Sequence, residues 1–149
     1  MNLPSDESTA PPDAPSSGAA VKVLVIDDSN TIRRSAEIFL KQAGHEVLLA
    51  EDGFDALGKL VDHGPDLVFC DILMPRLDGY QTCAIIKRNP QFVDLPVIML
   101  SSKDGLFDKA RGRLVGSQDY LTKPFTKEQL LQAVQTYGPS TPRGGARGS

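Results

Sequence analysis

Lys22-Val23-Leu24-Val25-Ile26-Asp27-Asp28-Ser29 is the stretch that decides the fold class. A nearly unbroken apolar run stops at two carboxylates and a helix-starting serine, which is how a parallel strand covered on both faces hands over to a helix. The same order recurs along the chain. Leu67–Cys70 and Pro96–Leu100 are also apolar, and Glu46–Ala50 and Asp119–Leu121 complete five expected strands. After them, apolar residues fall at helical spacing: Ile32, Ala36, Phe39, Leu40 and Ala43; Leu57, Leu60 and Val61; Tyr80, Cys83 and Ala84; Phe107, Ala110 and Leu114; Leu130, Leu131 and Val134. Thr126 and Gln129 form a capping-box pair, with Phe125 and Leu130 at staple positions. Gly44 and Gly64 stand where helices end in a left-handed residue. Strict alternation with short connections predicts an α/β protein, a three-layer sandwich around a five-stranded parallel sheet. In such sheets ligands bind beyond the carboxyl ends of the strands.

Composition narrows the function. The chain has 149 residues, with 16 Lys+Arg against 19 Asp+Glu for a net charge of -3, which suits one ordinary soluble domain. There is no polybasic block to displace counterions from a nucleic-acid backbone, so no nucleic-acid partner is expected. No apolar run nears the roughly 18 residues of a membrane span, so no membrane insertion is expected. Residues 1–20 are rich in Pro, Ser and Ala, carry three acids and no base, and lack a secretory core, which points to the cytoplasm. Residues 138–149 are a Pro/Gly/Ser/Arg stretch. Both ends read as disordered tails, leaving residues 21–137 as the folded domain with 14 bases and 16 acids. Cys70 and Cys83 lack CxxC spacing and matched histidines, so they read as small buried apolar residues.

The strand ends carry the chemistry. Asp27 and Asp28 follow the first strand, Asp71 the third, Ser101 the fourth and Lys123-Pro124 the fifth. Each has an ordinary explanation: Asp28-Ser29 as the polar start of a helix, Ser101-Ser102 as a turn, Lys123-Pro124-Phe125 as a loop. Their joint appearance on four strand ends of one small domain is hard to obtain by chance. The runs Ile26-Asp27-Asp28-Ser29, Asp71-Ile72-Leu73-Met74-Pro75-Arg76-Leu77-Asp78-Gly79, Met99-Leu100-Ser101-Ser102 and Asp119-Tyr120-Leu121-Thr122-Lys123-Pro124-Phe125 together resemble the receiver domain of two-component response regulators, over the whole of residues 21–137. A narrower likeness, in Thr31-Ile32-Arg33-Arg34, the segment 74–83 and the segment 99–109, is to stand-alone, chemotaxis-like regulators of type IV pilus twitching motility.

That resemblance implies strand order 2-1-3-4-5, the flavodoxin-like receiver arrangement, which would bring Asp27, Asp28 and Asp71 together. Carboxylates that close repel unless a cation intervenes, and Mg2+ suits an all-oxygen site shared with a phosphate. By the family pattern Asp71 is the phosphoacceptor. Asp28 binds the metal directly, Asp27 through water, Asp71 with one oxygen, and Leu73 through its backbone carbonyl. Lys123 pairs with the phosphoryl oxygens, and Lys123-Pro124 is a cis peptide. Ser101 and Tyr120 are the expected switch: Ser101 moves to bond the phosphoryl group and the Tyr120 ring turns inward. The implied partners are a chemotaxis-type histidine kinase and a downstream pilus-motor or regulatory protein met by the face of helix 4, strand 5 and helix 5; the chain is expected to be a monomer.

Two positions depart from the common pattern. Ser101 stands where Thr is more frequent, keeping the hydroxyl but losing the methyl that fixes its rotamer. Leu73, two residues after the acceptor, cannot hydrogen-bond an attacking water, which implies slow self-dephosphorylation. Lys103, Lys109, Arg111 and Arg113 read either as a solvated face or as part of an output surface for an acidic partner. His45 and His63 have no assigned role. Twelve residues after Tyr137 are too few for a DNA-binding or enzymatic output domain, so protein contact is the expected output and the chain is not expected to be an enzyme. A phosphate sink for the same kinase is the alternative. A Mg2+-dependent phosphohydrolase would want an acid where Leu73 stands, and a flavodoxin-like cofactor binder would not place Asp27-Asp28 where a phosphate must sit.

Overall fold

The computed structural model describes residues 20–102 and 107–139. Five strands alternate with five helices: β1 (Lys22–Ile26), α1 (Asn30–Gln42), β2 (Glu46–Ala50), α2 (Gly53–His63), β3 (Leu67–Asp71), α3 (Gly79–Arg88), β4 (Val97–Ser102), α4 (Lys109–Leu114), β5 (Asp119–Lys123) and α5 (Lys127–Tyr137), with a 3-10 turn at Pro90–Phe92. The sheet is parallel in order β2-β1-β3-β4-β5. The tails expected at 1–20 and 138–149, and Lys103 of the basic stretch, lie wholly or almost wholly outside the described residues.

The period-2 geometry of the strands sorts the core into two layers. Leu24, Ile26, Val68, Cys70, Val97 and Met99 face α2 and α3, while Val23, Val25, Leu67, Phe69, Ile98 and Leu100 face α1 and α5. Every residue of β3 is buried, as a strand covered on both sides requires. Both cysteines are buried and free, and burial raises both thiol pKa values. The Thr126/Gln129 capping box forms, and Gly44 and Gly64 both adopt positive φ. A second box, Asp78 with Gln81, starts α3. His45 accepts a hydrogen bond from Val21 N–H at 3.1 Å, and burial lowers its pKa, so it is a neutral structural acceptor.

Several sequence expectations are corrected. β4 begins at Val97, one residue after Pro96, and β3, β4 and β5 run on to include Asp71, Ser101 and Lys123, because ladder bonds are main-chain bonds and tolerate polar side chains. The stripe Phe107, Ala110, Leu114 is not a buried helix face: Phe107 precedes the helix and Leu114 is 86% exposed. Gly112 is the buried residue of α4, because the Phe107 ring folds over it and a Cβ there would lie 2.6 Å from Phe107 Cζ. Val61 in α2 is likewise exposed.

Gly79 positions the functional end of the sheet. Its N–H donates to Ile72 O at 2.8 Å, and a Cβ would come within 2.4 Å of Asp71 O and 2.7 Å of Ile72 Cα. The start of α3 therefore rests directly on the backbone after β3. Gly79→Ala is expected to cost about 2–3 kcal/mol in denaturant unfolding, because backbone must move. Gly58→Ala, in the middle of α2 with nothing within 4 Å, is expected to gain up to about 1 kcal/mol in the same measurement.

Candidate functional site

Strand register assembles the acidic cleft. Ile26 lies opposite Cys70, so the next residue on each strand, Asp27 and Asp71, reaches the same level of neighbouring strands. Asp28 follows at the rim. Carboxylate oxygens of Asp27, Asp28 and Asp71 all lie within 4.8 Å of one another, with Asp27 and Asp71 buried and Asp28 exposed. β5 brings Lys123 across β4: its ammonium donates to Asp27 Oδ2 at 3.1 Å and to Asp71 Oδ1 at 3.0 Å. These contacts join residues 96 and 52 positions apart in sequence. The Lys123-Pro124 bond is cis.

The electrostatics follow from burial. Asp71 is 2% exposed, and burial, reinforced by the Asp27 charge, pushes its pKa up to about 6 against the opposing pull of Lys123 and of the Leu73 N–H. For Lys123, burial lowers the pKa but Asp27 and Asp71 outweigh it, so the ammonium is held charged. One cation among three carboxylates leaves the cleft negative. All the offered ligand atoms are hard oxygens, the donor set a small divalent ion requires, so the residues fit Mg2+. Both hydrogen bonds to Asp71 land on Oδ1, from Lys123 and from Leu73 N–H at 3.3 Å. Oδ2 is left free of bonds from the described residues.

The remaining expected residues lie around this centre. Leu73 has a side chain 68% exposed, so only its main chain can serve the cleft. Ser101 is buried at the end of β4, one residue beyond Leu100, which pairs with Asp71; its hydroxyl donates to Ser102 O at 3.3 Å. The Tyr120 ring stacks on Phe107 with centroids 4.5 Å apart and lies under the Lys109 ammonium at 5.7 Å. Of the basic stretch, Arg111 is engaged with Tyr80 and Asp78.

Sequence reasoning missed the groups that hold the β1–α1 turn. Asp27 Oδ1 accepts from Ser29 N–H at 2.8 Å, and Arg33 donates to Asp27 O at 2.5 Å and to Asn30 Oδ1 at 3.2 Å. Arg33 lies in the first turn of α1, in a run quoted above only for its likeness; its reach back to Asp27 O shows the role. Arg76 was also missed: it takes positive φ, pairs with Asp52 at 2.9 Å and covers the Phe54 ring at 5.3 Å, tying the loop after β3 to the start of α2.

Comparison with known proteins agrees with this arrangement. Residues 23–135 match the family model described as the response regulator receiver domain. Protein PilG of Pseudomonas aeruginosa is 65% identical over 120 residues, covering 80% of this chain and 89% of that protein. Response regulator MprA of a Mycobacterium species is 37% identical over 115 residues, covering 77% of this chain but 49% of MprA. Among solved structures, chemotaxis protein CheY4 of Vibrio cholerae superposes with a TM-score of 0.76 at 34% identity, covering 80% of this chain and 99% of that one. The buried aspartates at the ends of β1 and β3, the lysine that reaches them from β5 and the β2-β1-β3-β4-β5 sheet thus have a common explanation: the chain belongs to the response regulator receiver family.

Proposed function

We propose that this chain is a single-domain response regulator that takes a phosphoryl group from a chemotaxis-type histidine kinase onto Asp71 and signals by binding a partner through the face of α4, β5 and α5. The observation that carries this reading is the pairing of Lys123 with Asp71 Oδ1 inside a buried acidic cleft, with Oδ2 unbonded among the described residues. Oδ2 attacks the phosphorus of the kinase phosphohistidine; the new P–O bond forms as the P–N bond breaks, and the electron pair returns to the imidazole nitrogen, which is released to accept a proton. Charge neutralisation supplies most of the acceleration of such a loose, anionic transition state. Asp27, Asp28, Asp71 and the Leu73 carbonyl would hold Mg2+, which would supply charge neutralisation to the phosphoryl oxygens. Lys123 holds the opposite side. The chemistry is done once per signal on the protein's own side chain, so the chain is a substrate and switch, not an enzyme in the turnover sense. The 65% identity to PilG supports a role in type IV pilus twitching motility, which belongs to this proposal together with a cytoplasmic, monomeric state; no helix among the described residues is long and apolar enough to cross a membrane.

Signal output uses the Ser101 hydroxyl and the Tyr120 ring. Phosphorylation favours the state in which Ser101 bonds the phosphoryl group and Tyr120 turns inward, by no more than the difference in contact energy between the two states.

Asp71→Asn protein is expected to take no label from phosphorylated kinase, read by gel autoradiography; labelling at wild-type level would overturn the acceptor assignment. Ser101→Ala is expected to accept label yet lose phosphorylation-dependent partner capture. A third expectation concerns pH. Because the folded pKa of Asp71 is raised from 3.8 to about 6, its ionised form opposes folding in full above about pH 6, and that penalty disappears as pH falls towards 3.8. Without divalent ions, Asp71→Asn should therefore be more stable than wild type at pH 7.5 by on the order of 1 kcal/mol, with the gain shrinking at pH 4.5. Added Mg2+ should raise the melting temperature of wild type alone; an equal rise in the Asn variant would contradict a metal site built on Asp71.

A further inference from the structure

Three aromatic rings outside the acidic cleft form a continuous stack. Tyr80, in the first turn of α3, lies 6.1 Å from Phe107 with planes 16° apart, and Phe107 lies 4.5 Å from Tyr120 at 23°. These are offset-stacking distances. The stack therefore joins α3, the segment entering α4, and β5. Its inner end is tied to the acceptor strand, since Tyr80 follows Gly79, whose N–H is bonded to Ile72 O and whose Cα packs so close to the Asp71 carbonyl that a Cβ would not fit. Its polar end is a hydrogen bond: the N–H of Asp108 donates to Tyr80 Oη at 2.9 Å. Asp108 is the N-cap of α4, its own carboxylate accepting from Arg111 N–H at 3.0 Å. Arg111 then returns to α3, its guanidinium 4.3 Å from the Tyr80 ring centre and 3.8 Å from the Asp78 carboxylate.

We propose that Tyr80 is a positioning residue for the switch: its hydroxyl holds the N-terminus of α4 in the unphosphorylated arrangement, and its ring makes Phe107 the part that Tyr120 must leave in order to turn inward. This rests on the reading of Asp71 as phosphoacceptor and adds to it a second mechanical link beside Ser101. The link follows from adjacency. Phe107 and Asp108 are consecutive, so a backbone displacement of Phe107 that accompanies loss of the Tyr120 face carries the Asp108 N–H away from Tyr80 Oη. Conversely, while that bond stands, the backbone of Phe107 is held in place and its ring keeps the Tyr120 ring stacked on it. The bond is breakable at low cost because Asp108 is exposed and water can replace the hydroxyl. A neutral hydrogen bond of this kind biases a two-state equilibrium by about threefold to tenfold, enough to set a resting population without locking it.

The test is Tyr80→Phe, which keeps the ring stack and removes only the hydroxyl. The Asp108 amide resonance and hydrogen exchange over residues 108–114 are measured in full-length protein with Mg2+, with and without beryllofluoride as the phosphoryl mimic. Without beryllofluoride, the variant is expected to exchange about threefold to tenfold faster in α4. Its Asp108 resonance should also move along the line towards the position that wild type reaches with beryllofluoride, a direction that a merely loosened helix would not produce. Exchange and resonance at wild-type values, or a shift away from that line, would overturn the proposal. Faster exchange in Tyr80→Phe combined with no beryllofluoride response in wild type would keep the tether but refute its link to the switch. That last outcome counts against the acceptor reading of Asp71 itself, which the labelling experiment checks separately.

Discussion

The interaction on which the rest of this structure depends is the crowding of three carboxylates against one ammonium at the end of an apolar sheet. Ionised groups are not left there without compensation: burying Asp71 disfavours its charge, and the neighbouring Asp27 carboxylate raises that cost. Lys123 offsets part of that cost and leaves the cleft short of positive charge. The deficit is what suits the cleft to a divalent ion and a phosphoryl group. In the proposed function the same deficit is the lever of the switch, because adding a doubly charged group to Asp71 would change the demand on every donor nearby.

In the proposed switch, packing is what would carry this local chemistry to the surface. Gly79 lets α3 sit against the main chain after Asp71, and Gly112 lets Phe107 lie flat on α4. Between them runs the stack from Tyr80 to Tyr120. The helix is short, with six residues and one buried position, so α4 is held by these side-chain contacts more than by a wide apolar face. An element with few buried contacts is one that a modest difference in contact energy can shift. Leu114 and the three basic residues of α4 present a mixed apolar and cationic surface, and any displacement of the helix alters what a partner meets.

Much of this was legible in the residues. The alternation of apolar runs with helical spacing gave five strands and five helices close to their observed bounds, since burial on both faces of a parallel sheet leaves an unbroken apolar run and few other folds do. The acids, the hydroxyl and the lysine were readable from their place at strand ends. Other features left no sequence signal. The stripe Phe107, Ala110, Leu114 obeyed helical spacing yet packs differently, because a glycine carries no hydrophobic mark and Gly112 turned out to be the inward residue. Arg33 and Arg76 look like any solvated arginine until their reach to Asp27 O and to Asp52 is seen.

The sequence by itself determined the fold class, the position of each reactive side chain at the carboxyl end of its strand, and, through family likeness, the strand order. The fold class and those positions are consequences of hydrophobic period and of short crossovers, which are local properties of the chain; the strand order came from the likeness alone. Only the tertiary structure decided that the Lys123 ammonium bridges Asp27 and Asp71, that the Lys123 and Leu73 bonds to Asp71 both fall on Oδ1, and that Tyr80, Phe107 and Tyr120 form one stack. Each of these joins residues from different elements, far apart along the chain. Their distances depend on sheet register and on how closely helices approach the backbone, and no local pattern of residue types encodes either.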